Sequence, residues 1–393
     1  MSTSVVILGA GYAGAHAARR ALAQGATVTV VDPDGHHAFT PRFAAVAAGR
    51  APVGDLAAPL DGLLDVEVVA DLAVAIDPDE RTVTLGSGST LRYEALVVTT
   101  GADAAAPPVE GLAAHGHGLA SVEDTVAVRE LVRRLAGPDT DGGPLGLIVI
   151  GGGATGVQLA AEIAHHRPTV PVTLVEQQPR LLPTEPGPLR RGARRILRAA
   201  GVEVLLGRAV ARVDADGLEL ADGTWLDGVV VWAGGWRARG SALLPDVPTE
   251  NGRLRVGPDL TVRGLDGVFA AGDTAAHHDP FGGELPMSAQ IAAQAGEVAG
   301  HNAVAWAAGR HHRRALLLEL GRVLDLGGGV GVARVGPVRL ARRPLDRLVP
   351  ALHLAIDLRH LWQLGGVTGV LRHGPGRAQT VARDGVRHLR AVG

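Results

Sequence analysis

A chain of 393 residues, 46% hydrophobic and 20% charged, has enough apolar surface for two or three packed domains. Its formal net charge of -2 offers no basic excess for neutralising phosphates, so nucleic acid is set aside as a partner. The absence of cysteine removes dithiol redox chemistry, thiolate nucleophiles and iron–sulfur clusters together.

The N-terminus runs straight into a buried-strand pattern with no basic leader, so the expected location is cytoplasmic, with a peripheral position on the inner face of the cell membrane as the alternative. The apolar run at 5–8 enters Gly9-Ala-Gly11-Tyr12-Ala13-Gly14. An alanine-rich helical stretch (15–24) and a β-branched run ending on Asp32 follow. The same order returns further along: an apolar run at 147–150, then Gly151-Gly-Gly153-Ala154-Thr155-Gly156, a helical stretch to 165, and a β-branched run ending on Glu176. Each copy continues into short antiparallel strands and one more buried strand, at 81–101 and at 217–234. Between the copies, 103–118 and 137–144 are rich in Gly, Pro and Ala and read as a linker around a helix at 121–135. A strand at 267–273 ends on Gly272-Asp273, a helical pattern covers 287–307, and a separate portion follows from about 309.

In G-x-G-x-x-G the first glycine permits a tight turn, the second lets a pyrophosphate approach the backbone, and the third lets helix pack closely on strand. The helix N-terminus then offers N–H groups and a positive dipole end to phosphate. One match among 55 glycines carries little weight. Two matches, each after a strand, before a helix and about 20 residues ahead of an acid, point to two dinucleotides. The expected fold is α/β: two Rossmann-like dinucleotide-binding domains, each with an inserted antiparallel β meander, plus a small C-terminal α+β portion. Asp32 and Glu176 stand where a carboxylate would accept from ribose hydroxyls, and Glu176 would repel a 2′-phosphate, favouring NADH over NADPH.

Taken in order, these segments resemble the two-dinucleotide-binding flavoproteins of glutathione-reductase type. Within them the chain is most similar to type II NADH:quinone oxidoreductases, through Phe39-Thr-Pro41, the 151–163 segment, the 231–235 segment and Ala289-Gln290-Ile-Ala-Ala-Gln294. The resemblance implies FAD on Gly9, Gly11, Tyr12, Ala13, Gly14, Asp32, Pro41, Ala73, Thr100, Gly101, Gly272, Asp273, Ala289 and Gln290. It implies NADH on Gly151, Gly153, Ala154, Thr155, Gly156, Glu176, Ala233, Gly234 and Gly235. It divides the chain into a first part of the FAD domain (1–110), an NAD(P)H domain (111–245, linker 103–144), a second FAD part (246–310) and a C-terminal domain (311–393). That last domain is expected to carry an acceptor site or a membrane or dimer interface. Gln158 stands where the family usually has glutamate.

Three side chains are assigned to the chemistry. Glu162 is placed to relay protons or orient nicotinamide, and Gln290 and Gln294, one turn apart, to hydrogen-bond a quinone carbonyl. The implied acceptor is a quinone or quinonoid metabolite. Rival readings are a soluble NAD(P)H-dependent flavoenzyme acting on a small secondary metabolite, and a protein resembling apoptosis-inducing factor that binds both nucleotides without fast turnover. The histidine pairs 36–37, 165–166, 277–278 and 311–312 lack ligand spacing, so no metal is expected. The leucine-rich stretch 345–364 suits either a membrane interface or packing on the first domain.

Overall fold

The structure, a computed structural model, describes residues 3–104, 109–137 and 146–376. Positions 105–108 and 138–144 of the expected linker, and 377–393 of the expected C-terminal domain, lie outside the described residues.

Two parallel sheets organise the chain. In chain order their strands are Ser4–Leu8 (β1), Thr27–Val31 (β2), Glu67–Val69 (β3), Ala95–Val98 (β4), Leu147–Ile150 (β5), Val172–Glu176 (β6), Glu203–Leu206 (β7), Val229–Trp232 (β8) and Val268–Ala270 (β9). The helices that matter for the site are Tyr12–Leu22 (α1), Phe43–Ala47 (α2), Val122–Leu135 (α3), Ala154–His166 (α4), Gly187–Ala199 (α5), Ala289–Ala307 (α6) and Val349–His373 (α7).

The first sheet runs β9-β4-β1-β2-β3 and the second β7-β6-β5-β8, with every neighbour parallel. β4 and β5 are buried at every position, which is why their sequences are unbroken apolar runs rather than alternating ones. β9 returns to pair with β4 after the whole second unit, so the second unit is inserted in the first. Each unit carries its three-stranded antiparallel meander: Ala73–Asp77, Thr82–Leu85 and Thr90–Arg92 in one, Val210–Asp214, Gly217–Leu220 and Trp225–Asp227 in the other. The two segments that cross between units, Ala102–Ala104 and Trp236–Ala238, pair antiparallel.

α3 begins on a capping box between Ser121 and Asp124, as its sequence suggests. α6 starts two residues later than the 287 expected, because the Ser288 side chain accepts from the Ile291 N–H and so takes the cap. α6 lies directly on α1. A Cβ at Gly296 or Gly300 would sit 2.2 Å from the carbonyl oxygen of Ala13 or Ala17, so only glycine allows this approach.

The C-terminal portion is α+β, with strands Gly321–Asp325, Gly331–Val335 and Val338–Leu340 followed by α7. α7 is broken at Gly366 (φ 58°). Its inner residues Asp357, His360, Leu361 and Leu364 are buried, the two leucines in the core of the first unit. Its outer residues Leu354, Ile356, Trp362, Val367 and Leu371 are exposed. Burying each inner leucine contributes roughly 2 kcal/mol. Of the two placements left open for this stretch, packing on the first domain is the one its inner face adopts.

Candidate active site

The two glycine turns have the same division of labour. Gly9 (φ 104°) and Gly151 (φ 115°) take a backbone conformation open to glycine. A Cβ on Gly14 would lie 1.8 Å from the Gly9 oxygen, and one on Gly156 1.9 Å from the Gly151 oxygen, so these glycines serve helix-on-strand packing. A Cβ on Gly11 or Gly153 would meet nothing within 4 Å. Those two are the N-caps of α1 and α4, and neither helix has a side-chain cap. Each unit therefore leaves an open backbone cradle at a helix N-terminus, as a pyrophosphate requires.

The acids order the turns. Asp32 Oδ2 accepts from the Ala10 N–H at 2.8 Å, and its Oδ1 accepts from the N–H groups of Asp34 and Gly35. Glu176 repeats this in the second unit, with Oε2 accepting from Gly152 N–H at 2.5 Å and Oε1 from Gln178 N–H at 2.6 Å. The sequence reading gave both acids only a ribose role; the structure adds that each fixes the middle residue of its own glycine turn.

Around the first turn, Thr99 and Thr100 abut Gly9, Gly101 turns with φ 70°, and Thr100 contacts Thr274 hydroxyl to hydroxyl at 3.3 Å. A Cβ on Gly272 would press on Ala13, so Gly272 and Asp273 close on the turn from the far side. Burial pushes the Asp273 carboxyl above the usual carboxylate range, opposed by the Arg253 guanidinium. Asp273 makes no side-chain hydrogen bond among the described residues, and buried Arg253 leaves Nε and Nη2 unbonded. Gly272 N–H donates to His277 Nε2, and burial lowers His277 to about 3, so it is neutral. These unsatisfied polar atoms beside an open cradle fit a polar cofactor. Pro41 lies in the turn Thr40–Arg42, and Ala73 opens the first meander opposite Leu85. Around the second turn, Ala154 and Thr155 begin α4, and Ala233 and Gly234 pass 3.2 Å from where a Gly151 Cβ would be, with Gly235 following at φ 80°.

Glu162 is 2% exposed. Arg50 donates to it twice, Nε to Oε2 at 2.8 Å and Nη2 to Oε1 at 2.5 Å, and also to Asp325 at 3.0 Å. Burial raises the Glu162 carboxyl and Arg50 opposes that rise. One cation thus joins the segment after α2, α4 and the C-terminal portion. Gln158 reaches the Asp325 carbonyl at 3.4 Å. Arg50 and Asp325 escaped the sequence reading because they lie 112 and 163 positions from Glu162 and nothing local links them to it.

Gln290 and Gln294 do share a face of α6, but their amides are already engaged. Gln290 accepts from Leu320 N–H and donates to Gly321 O; Gln294 accepts from Leu318 N–H and donates to Leu318 O at 3.0 Å. Both amides thus hold the strap at 318–321, a role the sequence did not announce beside the quinone contact that the resemblance implies. Leu316, Leu318 and Leu320 on that strap are exposed. The histidine pairs point apart, with His37 and His277 buried and His36 and His278 exposed. No metal-holding group of His, Cys, Asp or Glu occurs among the described residues.

The chain is 31% identical, over 324 residues, to an NADH dehydrogenase-like protein of Mycobacterium tuberculosis, covering 77% of this chain and 80% of that protein. It is 28% identical to the type II NADH:quinone oxidoreductase of Staphylococcus aureus, covering 84% and 89%. The structure of NDH2 from Plasmodium falciparum in complex with NADH superposes with a TM-score of 0.80 at 15% identity, covering 95% of this chain and 98% of that one. A ferredoxin reductase from Rhodopseudomonas palustris superposes with 0.74 at 20% identity, covering 85% and 82%. Residues 3–296 match the family described as pyridine nucleotide-disulphide oxidoreductase, and with the paired glycine turns this makes the chain a member of that family.

Proposed function

We propose that this chain is an FAD-dependent NADH dehydrogenase that delivers its electrons to a quinone. The observation that carries the reading is the duplicated open cradle, each with a buried-side acid on its middle N–H. The first cradle, completed by Asp273 and Arg253, is assigned to FAD and the second to NADH. With no cysteine, electrons leave without a protein disulfide, unlike the chemistry in the family's name. The quinone rests on the acceptor named for the S. aureus relative and on an apolar rim of Leu316, Leu318 and Leu320 beside the α6 glutamines.

Bound flavin supplies the redox chemistry, taking hydride from NADH and giving electrons to the acceptor. The protein's share is orientation and electrostatics. The N-termini of α1 and α4 hold the two pyrophosphates. Glu176, tied down by two N–H groups, places negative charge where a 2′-phosphate would sit. Glu162, fixed by Arg50, is a buried carboxyl with no freedom to swing, suited to orienting nicotinamide. The two glutamines hold the strap that forms the acceptor's apolar edge. No helix among the described residues is long and apolar enough to cross a membrane, and the exposed outer face of α7 gives a surface for peripheral attachment where a lipophilic quinone would be met.

Anaerobic stopped-flow reduction of the purified yellow protein by NADH and by NADPH, followed by reoxidation with menaquinone, a soluble benzoquinone and oxidised ferredoxin-type protein acceptors, tests this. The reading expects faster reduction by NADH and fastest reoxidation by the lipophilic quinone. Absence of bound flavin sinks it, and preference for a soluble or protein acceptor replaces the quinone.

A further inference from the structure

Three histidines from distant parts of the chain form a buried row that no motif announces: His16 on α1, His37 just before the Phe39-Thr-Pro41 turn, and His360 on α7. They are 2%, 0% and 8% exposed. Four contacts run in series. Ala10 O meets His37 Nδ1 at 2.9 Å, His37 Nε2 meets His360 Nε2 at 2.8 Å, His360 Nδ1 meets His16 Nε2 at 3.2 Å, and His16 Nδ1 meets Glu297 Oε1 at 3.0 Å. Tyr12 stacks on His360 with centroids 4.3 Å apart.

Hydrogen counting fixes the protonation of this row. A carbonyl oxygen ends it on one side and accepts only. Glu297 ends it on the other and, held by Arg19 as well, also accepts only. Four contacts between two acceptors need four hydrogens, and three neutral imidazoles bring three. The row closes only if one ring is an imidazolium. Burial disfavours charge on His37 and His360, and His16 is the ring whose Nδ1 meets the Glu297 carboxylate. Nor is the row a conduit, because the Ala10 carbonyl has no proton to pass on.

Ala10 is the middle residue of the first glycine turn, and its N–H is the one that Asp32 holds. We infer that His16, His360 and His37 form a clamp, closed by one extra proton, that fastens the C-terminal helix to the first glycine turn and so helps retain the cofactor bound there. His360 is a positioning residue in this scheme. A second tie lies alongside: Arg42 Nε donates to Asp357 Oδ2 at 2.8 Å, both side chains buried, and Arg42 also donates to the carbonyls of Asp55 and His373. The charged groups facing the row are Arg19 and Glu297 at His16, and Arg42 near His37 and His360, with Asp357 beyond it. The proton is bound in the closed state, so the clamp is intact at lower pH. It loosens as pH rises and the proton leaves, when one contact is left acceptor against acceptor.

Retention of cofactor rests on the FAD assignment above, whereas the clamp itself does not. The test uses the full chain as purified, with 15N-labelled histidine, read by imidazole NMR and by amide exchange of α7 between pH 6 and 9. One imidazolium is expected among the three rings. The α7 amides should exchange about tenfold faster, beyond the intrinsic rate, once that proton is lost. Because Glu297 Oε1 takes both His16 and Arg19, the amide oxygen of Glu297→Gln can still accept from both, but the negative charge beside the imidazolium is lost. It should move the loosening of α7 to lower pH. His360→Phe keeps a ring against Tyr12 and should lose protection at every pH. Three neutral rings under a fully protected α7, or an unchanged pH dependence in Glu297→Gln, overturns the clamp. If NMR and exchange behave as expected but flavin release does not follow α7 opening, the clamp on α7 stands and its part in retaining the cofactor is overturned, while flavin loss from Gly11→Ala tests the FAD assignment separately.

Discussion

Arg50 grips the buried carboxylate of Glu162 with two hydrogen bonds, although the two residues are 112 positions apart and belong to different units. The pair converts a helical glutamate into a fixed, desolvated acid. Replacing Arg50 with Met strands that acid without a partner. Because the Arg50 side chain is 40% exposed, the cost is discounted from the several kcal/mol of a fully buried pair to about 1–3 kcal/mol. The double variant Arg50→Met/Glu162→Gln should recover most of it in thermal unfolding. Glu162→Gln alone should slow reduction by NADH in single turnovers while leaving flavin content unchanged, and an unaltered rate would remove Glu162 from the nicotinamide site.

The glycine turns give a cleaner separation of fold from function. Gly11→Ala and Gly153→Ala add a methyl into open space at ordinary cap angles and should fold with melting temperatures within a few degrees of the parent. Gly11→Ala should come off the column depleted of flavin. Gly153→Ala should stay yellow but bind NADH more weakly, with KM raised tenfold or more. Gly14→Ala and Gly156→Ala drive a methyl into a carbonyl at 1.8 and 1.9 Å and should fail to accumulate as folded protein. If all four behave alike, the cradles are structural and not cofactor sites.

Asp273 should leave a pH signature on the cofactor-free protein. Its carboxyl is raised above 3.8 by burial, so the folded state holds that proton more tightly than the unfolded chain does. The associated stability is complete below about pH 3.8 and declines as pH rises through the folded value. Asp273→Asn should therefore unfold at higher temperature than the parent at neutral pH, and the advantage should vanish near pH 3.5 or below. The same variant should bind FAD more weakly, by about tenfold for one lost charge-assisted hydrogen bond.

Gln294→Ala cuts both bonds to Leu318 and should free the strap. Steady-state assays should show KM for a lipophilic quinone rising by roughly three- to tenfold, with flavin reduction by NADH unchanged. A fall in the reduction rate instead would place Gln294 on the nicotinamide side of the flavin.

The repeated G-x-G-x-x-G with its strand, helix and trailing acid was legible because each part is local: period-2 and period-3.6 patterns, glycine angles and the 20-residue spacing all lie within one stretch of chain. The insertion of one unit in the other was implied only by the family resemblance, and the structure shows it in the pairing of β9 with β4. What the sequence by itself determined is therefore the α/β class, two dinucleotide cradles and the absence of thiol chemistry. Only the tertiary structure decided that Arg50 completes Glu162, that Gln290 and Gln294 hold a strap, and that His16, His37 and His360 meet. Those contacts join residues 24 to 344 positions apart. Such pairings leave no periodicity behind, because burial and hydrogen bonding reward proximity in space and are indifferent to distance along the chain.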